Sequence, residues 1–143
     1  MPLNPHIHFF CDGVNYLIRH KKDLKAWILH CIALQKKNPG QINIILCDDN
    51  YLSRLNKKYL NHHTLTDIIT FDYSTTIAIS GDIFISIERI KDNAKALNNS
   101  TKDELHRVII HGILHLCGYK DKSPSEKLKM TSAENKCLSL RSF

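Results

Sequence analysis

His111 and His115 stand four residues apart in HGILHLCGYKD (111–121), with Gly118 three residues beyond the second histidine and Asp121 six beyond it. At about 100° per helical residue, side chains four apart lie about 40° from each other. Their imidazoles then stack one turn apart on one face, where they can chelate a single ion. Two hydrogen-bonded core histidines would show the same spacing, so the pair alone leaves both readings open. The full pattern, HxxxHxxGxxD, adds a third donor. Glycine is the residue at which a helix reverses through a left-handed turn, and Asp121 follows closely enough for its carboxylate to swing back. Three protein ligands leave a fourth position for water, as in catalytic rather than structural zinc sites. The ion can lower the pKa of that water to about 7.

The residue after the first histidine is Gly112, not the glutamate that acts as base in HExxH enzymes. Its absence argues against a peptidase. Glycine inside a helix costs up to about 1 kcal/mol relative to alanine. Either close packing or room for a substrate beside the ion would hold it there. The proton then falls to the substrate or to metal-bound hydroxide. Glu104 shares the angular stripe of the two histidines, two to three turns earlier, and reads as the acid of a capping box with Thr101 rather than as a base.

These residues need a helix to carry them. Leu105, Val108, Ile109, Gly112, Ile113 and Leu116 fall on one broad face, while Ile110, Leu114 and Cys117 cover much of the other. A helix apolar nearly all round is a buried one. Thr101 with Glu104 marks its start and Gly118 its end. A last helix begins at Ser123, with Pro124 at its first position and Glu126 closing a second capping box. Upstream, HIHFF (6–10) reads as a strand, and 20–37 as a helix with Leu24, Trp27, Ile28, Cys31 and Ile32 at helical spacing. INIILC (42–47) is a strand, followed by a short helix from Asp49 to Tyr59. TDIITFDY (66–73) and GDIFISI (81–87) are two more strands, and a helix follows over Glu88–Leu97. This order predicts an α+β single domain over 1–143, with a small mixed sheet of about four strands and about five helices.

At 143 residues with 43% hydrophobic and 24% charged residues, the chain is long enough to bury a core. It contains no apolar run of membrane-spanning length, and MPLNPHIHFFCDG lacks the pattern of a signal peptide. Its five cysteines include no CxxC pair, and four lie beside apolar residues. Reduced, mostly buried thiols in a cytoplasmic protein are therefore expected. The net charge of +6 is compatible with a polyanionic partner, but the lysines and arginines are scattered and fit a solvated surface equally well.

HGILHLCGYKD resembles the HGxLHLxGYDH signature of the YbeY proteins, ribosomal-RNA maturation factors also described as metal-dependent endoribonucleases. LNKKY (55–59), TDIITFDY, similar to the family's TDVLSFPF, and GDIFIS (81–86) extend the match in order over roughly residues 42 to 121. The resemblance implies an α+β fold with one zinc bound near the end of the signature helix. It also implies processing of small-subunit ribosomal RNA, particularly its 3′ end, and ribosome quality control. His111 and His115 match the first two zinc-binding histidines, and Asp121 stands where a third histidine is expected. A carboxylate can fill that role, at the cost of added negative charge on the ion. The family's arginine after the N-x-x-Y tyrosine, a residue that contacts RNA, is here Leu60, so that contact is lost.

Lys57, Lys58, His62 and His63 are the neighbours that could supply positive charge to RNA instead, and Arg107, one turn before His111, joins His111 as a candidate catalytic residue. Arg54 and Arg89 remain unplaced, while Asp67 and Asp82 read as strand or turn caps. The leading expectation is a zinc-dependent endoribonuclease acting on single-stranded ribosomal RNA of the small subunit, with no DNA or membrane partner. The zinc would polarise a phosphoryl oxygen, activate water, or both, although the RNA 2′-hydroxyl could also attack its own phosphate. The alternative is a ribosome-associated assembly factor whose metal is structural.

Overall fold

Isoleucines at every second position set up the sheet. In β2 (Pro39–Cys47) the buried series is Ile42, Ile44 and Leu46, and in β4 (Ile79–Ser86) it is Ile79, Gly81, Ile83 and Ile85. Alternate side chains of a strand share a face, so both stripes point the same way. The computed structural model describes residues 6–60 and 66–143. With β1 (His6–Cys11) and β3 (Ile68–Asp72), these strands form one sheet in the order β1-β2-β4-β3. The β1–β2 and β2–β4 pairs are parallel, whereas the hairpin-linked β3 is antiparallel to β4 and forms an edge.

Five α-helices accompany the sheet: α1 (Lys21–Leu34), α2 (Asp49–Leu55), α3 (Ile87–Ala96), α4 (Thr101–Leu116) and α5 (Pro124–Ser139). The expected single α+β domain, with its mixed four-stranded sheet, is therefore what the chain forms. The isoleucine face of the sheet packs against α1 and α4 in one core with Leu24, Trp27, Ile28, Ile109 and Ile113. Helix α4 lies at its centre, flanked by α3 and α5, which explains why nearly all its sides are apolar. A smaller cluster on the opposite sheet face joins Cys47, Ile69, Phe71 and Phe84 to Tyr51, Leu52 and Leu55 of α2. Cys31, Cys47, Cys117 and Cys137 are buried free thiols and Cys11 is exposed. Among the described residues no helix is long and apolar enough to cross a membrane.

Differences from the sequence expectation are local and have visible causes. Helix α1 stops at Leu34 rather than 37, because Lys36 takes a left-handed conformation (φ 58°) that closes the helix before β2. The short helix after β2 is capped by Asp48, whose Oδ1 accepts from Tyr51 N at 2.7 Å, and becomes a π-helical turn over Asn56–Leu60. Asp49 instead receives Ser86 Oγ at 2.6 Å and Arg89 Nε at 3.1 Å, tying α2 to the start of α3 and placing the previously unassigned Arg89.

Candidate metal centre

Helix α4 begins one residue earlier in its capping than the sequence pattern indicates. Ser100 is the N-cap, its Oγ accepting from Asp103 N at 3.0 Å. Thr101 is thus already helical, and the expected Thr101–Glu104 capping box does not form. Glu104 points into the protein instead, only 4% exposed, and its Oε1 has no hydrogen-bond partner among the described residues. Burial, then the charge of Asp67, raises the Glu104 pKa against the opposing pull of Arg107.

The other end of α4 creates the site. Gly118 N donates to His115 O at 3.0 Å and Tyr119 N donates to Leu114 O at 3.0 Å, the paired bonds of a Schellman turn. Gly118 adopts φ +105°, a conformation that side-chain-bearing residues rarely take. This turn brings the Tyr119 carbonyl under His115, where it accepts from Nδ1 at 2.9 Å. Two residues later Asp121 Oδ2 comes within 3.2 Å of both His111 Nε2 and His115 Nε2. The exit is pinned as expected: Ser123 Oγ accepts from Glu126 N at 3.1 Å and Ser123 N donates to Glu126 Oε1 at 2.8 Å.

His111 Nε2 and His115 Nε2 are 3.1 Å apart, so the three donor atoms form a nearly equilateral triangle. Ligand atoms about 2.0 Å from an ion at tetrahedral angles would be separated by about 3.3 Å, so the triangle fits one face of such a site. Protonation points the same way. His111 Nδ1 donates to Glu134 Oε2 at 2.6 Å and His115 Nδ1 donates to Tyr119 O, which leaves both Nε2 atoms with lone pairs directed at the centre. Three acceptors facing one another at this distance repel unless a metal ion, or a proton on one imidazole, lies among them. These residues therefore form a group able to hold a metal ion. Burial of the His111 ring disfavours its protonation, but Glu134, Asp121 and Asp67 outweigh that and raise its pKa.

The triangle opens into a cleft of about 570 Å³ lined by Leu60, Thr66, Asp67, Thr70, Asp72 and Lys122, among others. Leu60, the residue in place of the family arginine, thus sits on the cleft wall, and Lys122 is the basic residue among those lining the same space. Asp67 Oδ2 accepts from Asn93 Nδ2 at 3.3 Å, and burial raises its pKa. Asp82 lies elsewhere, accepting from Asn43 Nδ2 at 3.0 Å. Arg107 is not among the residues lining the cleft; its guanidinium donates to Glu134 Oε1 at 3.1 Å and to Asn135 Oδ1 at 3.2 Å. Lys57 and Lys58 are exposed on the π-helical turn, while His62 and His63 fall outside the described residues.

Gly112 has a structural reason. A Cβ built there would meet Ile68 Cδ1 at 2.9 Å and Ile83 Cγ2 at 3.0 Å. Close packing of α4 on the sheet, rather than space beside the ion, accounts for this glycine.

Glu134 was invisible as a site residue from the histidine motif, lying 23 positions beyond His111. Its signal is in α5, where Met130, Glu134 and Cys137 form the buried stripe at i, i+4 and i+7. A carboxylate in an otherwise apolar stripe requires a buried partner, and His111 with Arg107 provides it.

Comparison with known proteins agrees with the motif. The sequence model of the family described as Endoribonuclease YbeY matches residues 14–141. A protein named Endoribonuclease YbeY from Flavobacterium johnsoniae is 54% identical over 114 residues, covering 80% of this chain and 82% of its own. A protein of the same name from Cytophaga hutchinsonii is 46% identical over 138 residues, covering 96% of each chain. The solution structure of TM1509 from Thermotoga maritima superimposes with a TM-score of 0.63 at 24% identity, covering 93% of this chain and 87% of that one, and so shares its fold.

Proposed function

Because the chain belongs to the Endoribonuclease YbeY family, we propose that it is a zinc-dependent endoribonuclease. Its substrate in this reading is single-stranded ribosomal RNA, and its role is in cytoplasmic maturation of the small-subunit RNA 3′ end and in ribosome quality control. The observation that carries the proposal is the triangle of two imidazole nitrogens and one carboxylate oxygen, 3.1–3.2 Å apart, at the floor of an open cleft. Two nitrogens and one oxygen suit zinc, with Asp121 as third ligand. When bound, zinc supplies a Lewis acid for a phosphoryl oxygen and a water of lowered pKa.

The chain's own groups do the rest. Glu134 and the Tyr119 carbonyl hold the two imidazoles in the tautomer that offers Nε2 to the ion. Arg107 acts through Glu134, fixing the carboxylate that orients His111, and so has a positioning role. Lys122 supplies positive charge for a phosphate inside the cleft where Leu60 cannot. Lys57 and Lys58, exposed on the π-helical turn, attract the RNA backbone; His62 and His63, the other two expected RNA contacts, lie outside the described residues. No glutamate follows His111, so an RNA 2′-hydroxyl as nucleophile places the least demand on a protein base.

Highly purified wild-type and His111→Ala proteins, compared on defined single-stranded and duplex RNAs with product ends mapped, test this reading. Cleavage of the single strand by wild type and its loss in a folded variant are expected, and 2′,3′-cyclic phosphate ends would identify the 2′-hydroxyl as nucleophile. Equal cleavage by His111→Ala would point to a contaminant or a different site and overturn the metal-centre assignment, whereas no cleavage by metal-loaded wild type overturns the nuclease assignment and leaves the assembly-factor alternative.

A further inference from the structure

The sheet face opposite α1 and α4 carries a separate chemistry. In the β3–β4 register Ile69 pairs with Phe84 and Phe71 with Asp82, so these side chains share that outer face. The alternate residues Thr70 and Asp72 point the other way, and the cleft runs along this strand, lined by both of them and also by Ile69. The edge strand β3 therefore borders both the cleft and an aromatic surface. Along that surface the rings follow one another: Tyr51 to Phe84 at 5.9 Å, Phe84 to Phe71 at 5.8 Å, and Phe71 to Tyr59 at 5.6 Å. The line ends at the lip of the cleft, because Tyr59 is followed directly by Leu60 on the cleft wall.

Two of the rings at this end are open to solvent. Tyr59 is 56% exposed, and Tyr73, which continues the β3 ladder by donating its N–H to Ser80 O at 2.9 Å, is 60% exposed. Cations accompany the rings, with Lys58 Nζ 5.2 Å above Tyr59 and Arg54 Cζ 5.8 Å above Tyr51. Two acids flank this face: Asp82 is held by Asn43 and lies against the Tyr73 phenol, and Asp12 lies against the Tyr51 phenol at the far end. Exposed aromatic rings beside cations bind single strands, whose bases have free π faces, and not duplexes, whose bases are stacked inside.

We propose that the outer face of the sheet is a stacking platform for single-stranded RNA, with bases on Tyr59 and Tyr73, phosphates held by Lys58 and Arg54, and the strand crossing the β3 edge into the metal cleft. This rests on the nuclease reading for its substrate and adds a physical cause for selecting single strands. A protein partner could cover the same tyrosines, and it would require no bases.

The test is fluorescence anisotropy with the full-length, metal-loaded protein, a fluorescein-labelled oligouridine, and the same strand carrying abasic sites, with probe integrity checked on a denaturing gel. Folding is checked by circular dichroism. Tyr59→Ala and Tyr73→Ala should each weaken oligouridine binding about 10-fold, and Tyr→Phe at either position should restore it. Abasic RNA should bind wild type as weakly as the alanine variants bind oligouridine. Lys58→Ala should lower the salt slope by about one, and the tyrosine variants should leave it unchanged. Wild-type affinity in the double alanine variant, or equal affinity for abasic and intact strands, overturns the platform. If wild type cleaves RNA while the tyrosine variants bind normally, the platform alone fails. Tyrosine-dependent binding without cleavage removes the nuclease reading alone.

Discussion

Glu134→Gln is the sharpest perturbation of the metal centre, because it changes one charge while keeping the shape of the side chain. In the native site Glu134 Oε2 accepts from His111 Nδ1 at 2.6 Å while Oε1 accepts from Arg107 at 3.1 Å. A glutamine has one carbonyl oxygen to offer, so either the imidazole or the guanidinium loses its acceptor, and the charge that makes Nε2 more basic disappears. Loss of such an outer partner costs about 10–100-fold in metal affinity, which is about 1.4–2.7 kcal/mol. The assay is zinc competition against a chromophoric chelator at neutral pH. A second effect has the opposite sign. Glu134 raises the His111 pKa, so in the wild type protons compete with the ion as pH falls through that raised value. In Glu134→Gln the pKa drops and acid competition begins at lower pH, so the gap between the two proteins should narrow on acidification. Unchanged zinc affinity at neutral pH, or a gap that widens in acid, would refute the orienting role of Glu134.

Other outcomes follow from the same packing. His106 is 3% exposed, and burial, then Arg141 and Lys102, push its pKa from 6.5 down to about 4. A lowered histidine pKa contributes stability that is fully present above 6.5 and lost as pH falls toward 4, amounting to about 3 kcal/mol. Urea unfolding across that range should show this slope in wild type and a reduced one in His106→Gln, the comparison cancelling the opposite contribution of His111. Gly112→Val forces a branched side chain against Ile68 and Ile83 and should cost about 1–3 kcal/mol in thermal unfolding; wild-type stability would mean that the α4–sheet contact is loose. Elemental analysis should find about one zinc per chain, lost in His115→Ala. Chelation should lower the melting temperature while leaving the far-ultraviolet circular dichroism intact, because α4 is held on the sheet by a large apolar cluster separate from the three donors; an unfolded metal-free protein would contradict this.

The local periodicities and chain reversals were legible in the sequence. Alternating isoleucines specify strands, Ser123-Pro124 with Glu126 specifies the start of α5, and Gly118 specifies the turn that returns Asp121 to the histidines. All three proposed ligands fall within eleven residues, so helical geometry and one glycine suffice to bring them together. Interactions between distant segments were not legible. Glu134 and Arg107 meet only because α5 docks along α4, and Gly112 can be assigned to packing only once Ile68 and Ile83 are seen against it. The capping of α4 depends on a competition between Ser100 and Thr101 that the pattern leaves undecided and folding resolves by burying Glu104. Likewise, Tyr59 and Tyr73 stand fourteen residues apart, and only the register of β3 on β4 brings their part of the chain to one side of the cleft. The candidate donors and their helix follow from residue order alone, since they depend on neighbours within two turns. What surrounds those donors follows only from the packed fold, because burial and pairing depend on which faces meet.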